Sequence, residues 1–171
     1  MEKSLRRSAV MAVIACGVAS CSNPGDGAGI EHIGTPASPI ASVVYVPAGA
    51  DMLYVSGIEA SPADPNAPKG SPAYYGDTET QMYNILTRMK AVLATKGMGF
   101  GDIAMMRIYC GPDPALGNKC DTAGMMRSYN KFFGTPDQPT KPARSMFMAG
   151  DLAHQPGQML EVDAEAVRRP K

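Results

Sequence analysis

A strict alternation of apolar and acidic residues near the C-terminus limits what this chain can fold into. The stretch is QMLEVDAEAV. One set of alternate residues is Leu160, Val162, Ala164 and Ala166, and the other is Met159, Glu161, Asp163 and Glu165. Successive side chains of a strand point to opposite faces, so the pattern predicts a strand over residues 159–167 with one buried face. We expect the apolar set to lie under helices and the acidic set to face solvent or another subunit.

The rest of the chain alternates between strand-like runs and two amphipathic helical segments. Strands are predicted over residues 42–46, 52–57, 103–109, 143–149 and 159–167, and helices over residues 77–97 and from residue 121 or 122 onward. The first two strands are separated by Pro-Ala-Gly and are expected to pair as a hairpin. Thr78 with Gln81 matches a capping box at the start of the first helix. The order ββαβαββ predicts an α+β fold with two helices on one face of a sheet.

The first 20 residues have the layout of an export signal. A basic head precedes an apolar run that is too short for a membrane span, which needs roughly 20 apolar residues. The sequence Val-Ala-Ser-Cys resembles the lipobox of bacterial lipoproteins, in which Cys21 is lipidated; an ordinary signal peptide cleaved nearby is the alternative. We expect residues 1–20 to be removed, residues 21–36 to form a lipidated tether and residues 37–171 to form one domain. The protein would then be periplasmic, and Ser22 favours anchoring to the outer membrane.

Charge and cysteine content exclude several kinds of site. The chain has 16 basic and 16 acidic residues and no basic run outside the signal, so nucleic acid is not an expected partner. In an exported protein Cys110 and Cys120 can form a disulfide, which would contribute about 2.5 to 3 kcal/mol by the loop-entropy model. Two unpaired thiols are the alternative. Neither His32 nor His154 lies at a spacing suited to zinc, so no metal site is predicted.

Four stretches of the domain together point to a known family. They are GDTETQMYNILTRMKAVLATKGMGFGDIAMMRIY, MMRSYNKFFG, PARSMF and LEVDAEAV. With them the chain resembles the RidA family, the reactive intermediate deaminases, from about residue 37 to residue 169. The resemblance implies a chorismate-mutase-like fold and a homotrimer whose sheets form a central barrel, with three clefts between neighbouring subunits. It implies no metal and no organic cofactor.

The resemblance also implies which residues form the site in each cleft. Arg144, in PARS, falls where the family grips the carboxylate of an imino or enamino acid, and a guanidinium has two parallel donors that match a carboxylate. Glu161 falls where the family holds or activates the water that hydrolyses the imine. Ser56 falls on a position that lines the cleft. Asp163 and Glu165 are expected to be structural.

Three residues depart from the archetypal family members at this cleft. Val43 and Met126 stand where those members carry a tyrosine and an asparagine, and Met146 replaces a common cysteine. The arginine and the acid are kept while part of the polar surround becomes apolar. The sequence therefore predicts either a bulkier, more apolar substrate or a loss of the deaminase activity.

Three functions remain open from the sequence. The first is hydrolysis of 2-imino acids to 2-oxo acids and ammonia, acting on imines that form beyond the inner membrane. The second is a trimeric module that binds a small carboxylate without turning it over, which the two polar losses favour and the retained Glu161 opposes. The third is a lipid-anchored structural trimer that docks to an envelope partner. It predicts no ligand-induced rise in melting temperature, whereas the other two predict one.

Overall fold

The computed structural model describes residues 29–150 and 155–169. The predictions for the signal peptide, for Cys21 and for His154 concern residues outside these ranges. The strands are Glu31–Ile33 (β1), Val43–Tyr45 (β2), Asp51–Glu59 (β3), Ile103–Cys110 (β4), Ala143–Met148 (β5) and Leu160–Arg168 (β6). The α-helices are Pro72–Tyr75 (α1), Thr78–Ala94 (α2) and Thr122–Tyr129 (α3).

Four strands form one sheet in the order β3-β6-β4-β5. β6 is antiparallel to both of its neighbours, whereas β5 lies parallel to β4 and forms an edge of the sheet. α2 packs against α3 and against the helix-facing side of β3 and β6. The predicted α+β architecture, with two helices on one face of a sheet, is therefore confirmed.

The predicted hairpin between residues 42–46 and 52–57 is wrong. β2 pairs antiparallel with β1 in a separate two-stranded sheet, and β3 pairs with β6. β3 and β6 both have nine residues, and their apolar faces match. The free energy gained by this pairing outweighs the local preference for a turn between residues 46 and 52. β1 lies within residues 21–36, the range expected to form the tether.

The segment that contains β1 and β2 is hydrogen-bonded to the residues at the start of the edge strand β5. Nδ1 of His32 donates to the carbonyl oxygen of Lys141 (2.8 Å). Nζ of Lys141 donates in turn to the carbonyl oxygen of Ser38 (2.6 Å). The backbone N–H of Ala41 donates to the carbonyl oxygen of Pro142 (2.9 Å). These bonds fix the N-terminal segment beside the residues that lead into β5.

α2 forms as an amphipathic helix with a side-chain cap. The cap is Asp77, whose Oδ1 accepts from the N–H of Thr80 (2.8 Å), so the predicted cap at Thr78 is one residue late. Thr78 and Gln81 are instead buried. The apolar stripe is fully buried at Met82, Ile85, Leu86, Met89 and Leu93. Val92, three residues after Met89, lies outside this stripe and is 38% exposed.

β6 shows the predicted alternation. Its buried side is formed by Leu160, Val162, Ala164 and Ala166. The acidic side chains lie on the other side, where Arg107 of β4 bridges Asp163 (3.1 Å) and Glu165 (2.7 Å). Met159 was expected on the acidic side but is buried, because it precedes the strand and its N–H donates to Oε1 of Gln81 in the helix layer.

The side of the sheet turned away from the helices is called the open sheet face below. It carries Tyr54, Arg107, Tyr109, Phe147, Glu161, Asp163 and Glu165. The hydroxyl of Tyr109 donates to Asp163 (3.1 Å), and the ring of Tyr109 stacks on that of Phe147. Tyr54 is 71% exposed and Phe147 is 47% exposed, so this face combines carboxylates with large uncovered aromatic rings.

Cys110, the last residue of β4, is joined to Cys120 by a disulfide bond. The two Cα atoms lie 5.7 Å apart and the sulfur atoms 1.97 Å apart. Within the closed loop, Asp113 and Lys119 pair as an isolated bridge. The bond therefore ties the loop after β4 to the residue before the N-cap of α3.

We expect the change Cys120→Ser to lower the free energy of unfolding by about 2 to 3 kcal/mol, since an uncrosslinked loop gains entropy in the unfolded chain. Urea unfolding at one protein concentration measures this difference. Wild-type protein kept in a thiol reductant should match the variant. Equal stability of the variant and the oxidised wild type would contradict the prediction.

Candidate functional site

Arg144 lies on the edge strand β5 and points to the helix side of the sheet. It stands opposite Met106, a fully buried core residue of β4, so both side chains share that side. Its Nη1 donates to the thioether sulfur of Met126 on α3 (3.3 Å). Its guanidinium carbon lies 4.4 Å from the ring centre of Tyr129, one turn further along α3. The arginine is thus held between the sheet edge and α3.

The guanidinium of Arg144 is partly buried without an acidic partner. Burial lowers the pKa of Arg144 from its usual value, and the neighbouring Tyr129 opposes this shift. Within residues 29–150 and 155–169, no carboxylate pairs with Arg144. By contrast, Arg107 is paired with two carboxylates and Arg127 with Glu79 and Asp121. A partly desolvated cation without a counter-ion favours the binding of an anion.

The ring of Tyr129 lies directly beneath this guanidinium. Tyr129 is fully buried, and its ring stacks on that of Phe133 with 4.7 Å between centres. Its hydroxyl oxygen has no hydrogen-bond partner in the described part of the chain. Burial raises the pKa of Tyr129 to about 12, and the charge of Arg144 opposes this rise. The phenol therefore stays neutral at physiological pH.

Glu161 lies on the open sheet face, where β3 is irregular. It stands opposite Glu59 of β3 and Tyr109 of β4. The register between β3 and β6 shifts between Val55 and Ile58, and this bulge contains the predicted cleft residue Ser56, which is exposed. The carboxylate of Glu161 covers Gly57, since a Cβ at that position would overlap Oε1 of Glu161.

Arg144 and Glu161 therefore lie on opposite faces of the same sheet. Arg144 stands level with Met106 and Ala164, and Glu161 is three residues from Ala164 along β6. At about 3.3 Å per residue the offset along the strands alone is about 10 Å. A small molecule bound by Arg144 of one chain cannot contact Glu161 of the same chain.

We expect the change Gly57→Ala to lower the rate of any reaction that uses Glu161 by about tenfold or more, since the new methyl group displaces a positioned carboxylate. Steady-state kinetics with the substrate proposed below measures the effect. Gly99→Ala is the matched control, because a Cβ at Gly99 meets nothing within 4 Å. An unchanged rate in Gly57→Ala, with Gly99→Ala also unchanged, would contradict a role for the Glu161 carboxylate in that position.

Comparison with known proteins identifies the family. The family model described as endoribonuclease L-PSP matches residues 35–168, which is more than half of the chain. The chain belongs to this family, the Rid family. The RidA resemblance inferred from the sequence is therefore confirmed. No curated protein matches this Rid-family chain.

Several solved structures share the fold of this Rid-family chain. A Rid-family protein of unknown function from Yersinia pestis, YyfB, is 21% identical with a TM-score of 0.57, over 76% of this chain and 87% of that one. A protein of unknown function from Pseudomonas aeruginosa is 25% identical with a TM-score of 0.54, over 81% and 90% of the two chains. TdcF of Escherichia coli, solved with bound serine, is 28% identical with a TM-score of 0.52, over 81% and 98%.

The other predicted cleft residues lie at different distances from Arg144 in this Rid-family protein. Met126 is in contact with it. Met146 lies two residues further along β5, on the same side of the sheet, and packs against the core. Val43 lies on β2 and is 52% exposed. The sequence analysis did not identify Tyr129 as a contact of Arg144, although its spacing of three residues from Met126 puts both on one helix face.

A cavity of about 620 Å³ lies beyond the C-terminal end of β4. Its walls include Gly76 and Asp77 at the start of α2, and Pro112 and Asp113 after β4. None of the six predicted cleft residues lines it. Among the described residues, no group of three or more His, Cys, Asp or Glu is arranged to hold a metal ion. No helix of residues 29–150 or 155–169 is long and apolar enough to cross a membrane.

Proposed function

We propose that this Rid-family protein binds the carboxylate of a small 2-imino acid through Arg144 and hydrolyses its C=N bond. The observation that carries this proposal is the partly buried guanidinium of Arg144, which has a thioether and a ring face as its neighbours and no carboxylate among the described residues. The outer N–H donors of a guanidinium bind both oxygens of a carboxylate at once.

The opposite placement of Arg144 and Glu161 supports a site built from two chains. If the open sheet face of one chain meets the β5 edge of another, Glu161 of the first chain can lie near the ligand held by Arg144 of the second. The exposed Tyr54 and Phe147 give this face the aromatic surface that is enriched in interfaces. A closed ring of three such contacts gives a homotrimer with three equivalent clefts, the number that the family resemblance implies.

In this assembly Glu161 acts on water. Its carboxylate accepts a proton from the water that adds to the imine carbon and passes this proton to the imine nitrogen, which gives a carbinolamine. The proton of the new hydroxyl group then moves to the amino nitrogen by way of the same carboxylate, and the nitrogen leaves as ammonia. The C–N bond breaks, the C=O bond forms, and a 2-oxo acid leaves. Gly57 lies under the carboxylate of Glu161 and leaves room for it. The reaction needs water alone as co-reactant.

The relative solved with bound serine supports a small amino-acid-like ligand, because it is 28% identical to this chain over most of both lengths. The thioether of Met126 beside Arg144 favours a ligand with an apolar side chain over one with a hydroxyl group. We further propose that the protein acts in the cell envelope, anchored through Cys21, on imines that form outside the inner membrane.

The family description names an endoribonuclease, but the charge distribution does not favour RNA as the substrate. The open sheet face carries Glu161, Asp163 and Glu165, and its arginine, Arg107, is already paired with two of them. Phosphate backbones bind surfaces with unpaired cations. A small monoanion at the partly buried Arg144, which no described carboxylate pairs, fits the observed charges better.

The test is to generate imino acids with an amino-acid oxidase in the presence of the purified protein and to follow their decay with a trapping reagent. We expect faster decay with wild-type protein, most for imines with branched or thioether side chains. No acceleration for small, branched or aromatic imines would overturn the hydrolase.

Binding without turnover is the second candidate, and it is favoured if the protein is monomeric. In a single chain Glu161 cannot reach a ligand on Arg144, because the two lie on opposite faces. Light scattering gives the oligomeric state, and thermal shift with 2-oxo acids reports binding. A monomer that is stabilised by 2-oxo acids but does not accelerate hydrolysis would establish the binding module.

A further inference from the structure

The guanidinium of Arg144 lies over the ring of Tyr129. The guanidinium carbon lies 4.4 Å from the ring centre. The ring itself cannot move freely, because Tyr129 is fully buried and stacks at 23° on Phe133 behind it. The stack Phe133–Tyr129–Arg144 therefore runs from the core to the proposed binding position.

A ring face compensates a buried cation differently from a carboxylate. A carboxylate would occupy the N–H donors of the guanidinium, which lie in its plane, and would compete with a ligand. The negative face of an aromatic ring attracts the cation from above or below that plane and leaves the donors available. The sulfur of Met126, which accepts from Nη1, is a weak acceptor that a ligand carboxylate can displace.

We infer that Tyr129 is a positioning residue for the carboxylate grip of Arg144: its ring holds the guanidinium in place and compensates part of its charge while leaving the N–H donors open. This inference rests on the proposed role of Arg144 as the ligand-binding residue. Tyr129 acts through Arg144 and does not contact the ligand.

The hydroxyl group of Tyr129 is separate from the ring contact, although it lies near enough to Arg144 for each group to affect the pKa of the other. It is buried and has no hydrogen-bond partner among the described residues. The ring alone supplies both the stacking on Phe133 and the contact with Arg144. The change Tyr129→Phe keeps the ring and removes the hydroxyl group, so it separates the contribution of the ring from that of the hydroxyl.

The experiment measures the binding of 2-oxobutanoate by calorimetry to the full chain and to two variants. Tyr129→Phe should bind within about twofold of wild type, and Tyr129→Met, which fills the space without a ring, should bind about tenfold more weakly. In imine hydrolysis Tyr129→Met should raise KM more than it lowers kcat. Tyr129→Leu replaces Tyr129→Met if the latter does not fold. Wild-type affinity in the ringless variant, or a loss of more than about fivefold in Tyr129→Phe, would overturn the inference.

A second readout does not depend on the ligand. In ¹H–¹⁵N spectra the Nε–H signal of Arg144, assigned by its loss in Arg144→Ala, should be shifted upfield by the ring in wild type and in Tyr129→Phe. It should return to the usual range in the ringless variant. If wild type fails to bind 2-oxobutanoate, the proposed function fails while this spectrum still decides the positioning role. An unchanged Arg144 signal in the ringless variant overturns that role.

Discussion

Replacing Arg144 by alanine should abolish measurable binding of small 2-oxo acids and lower kcat/KM for imine hydrolysis by about 10²- to 10³-fold, since two charge-assisted hydrogen bonds are lost. The fold should tolerate the change well. Arg144 has no acidic partner in the described part of the chain, so its removal breaks no ion pair and relieves the burial of a charge. We expect the melting temperature to stay the same or to rise slightly.

Two further variants separate charge from geometry. Arg144→Lys keeps the positive charge but has no planar fork, so it should recover only a small part of the activity. Arg127→Ala is the matched control, because Arg127 is an exposed arginine on α3 that is paired with Glu79. Kinetics of the three variants give the comparison. A kcat/KM for Arg144→Ala within about threefold of wild type, with Arg127→Ala also near wild type, would rule out the carboxylate grip.

Mixing two inactive variants should restore activity. Arg144→Ala keeps Glu161, and Glu161→Gln keeps Arg144, so a cleft that draws one residue from each chain can be complete in a mixed trimer. With random assembly of equal amounts, about one cleft in four is complete. We expect each variant alone to lose about 10²-fold or more in kcat, and the co-expressed mixture to regain about a quarter of the wild-type rate.

The mixture also tests the geometry of the sheet. If both residues acted within one chain, every chain in the mixture would lack one of them and no activity would return. The double variant Arg144→Ala/Glu161→Gln co-expressed with wild type is the matched control, since it brings the same two changes on one chain. Activity in the mixture no higher than in the separate variants would exclude a shared site.

The part of the fold that follows from local pattern was predictable. The alternation in β6 and the apolar stripe of α2 are each explained by the burial of one face of the element. Both faces are buried in the structure. The pairing of β2 was not predictable, because it depends on competition between distant strands. The turn-like residues after Tyr45 suggested a local hairpin, whereas β3 pairs with β6 and leaves β2 to the short strand β1.

The candidate site was predictable only in part. The family resemblance indicated Arg144 and Glu161, but β5 has no clean alternation, so its sequence does not show which way Arg144 points. In the parallel pairing of β5 with β4, Arg144 stands opposite the buried Met106. This register determines that Arg144 points to the helix side of the sheet. Tyr129 was not found because a tyrosine at helical spacing reads as a core residue. Its contact with Arg144 depends on where α3 packs.

The bonds from His32 and Ala41 to residues 141 and 142 have a mechanical consequence. The segment that begins at Glu31 is hydrogen-bonded to the rest of the fold just before Arg144. Tension on the N-terminus would be transmitted first to the strand end that carries the arginine.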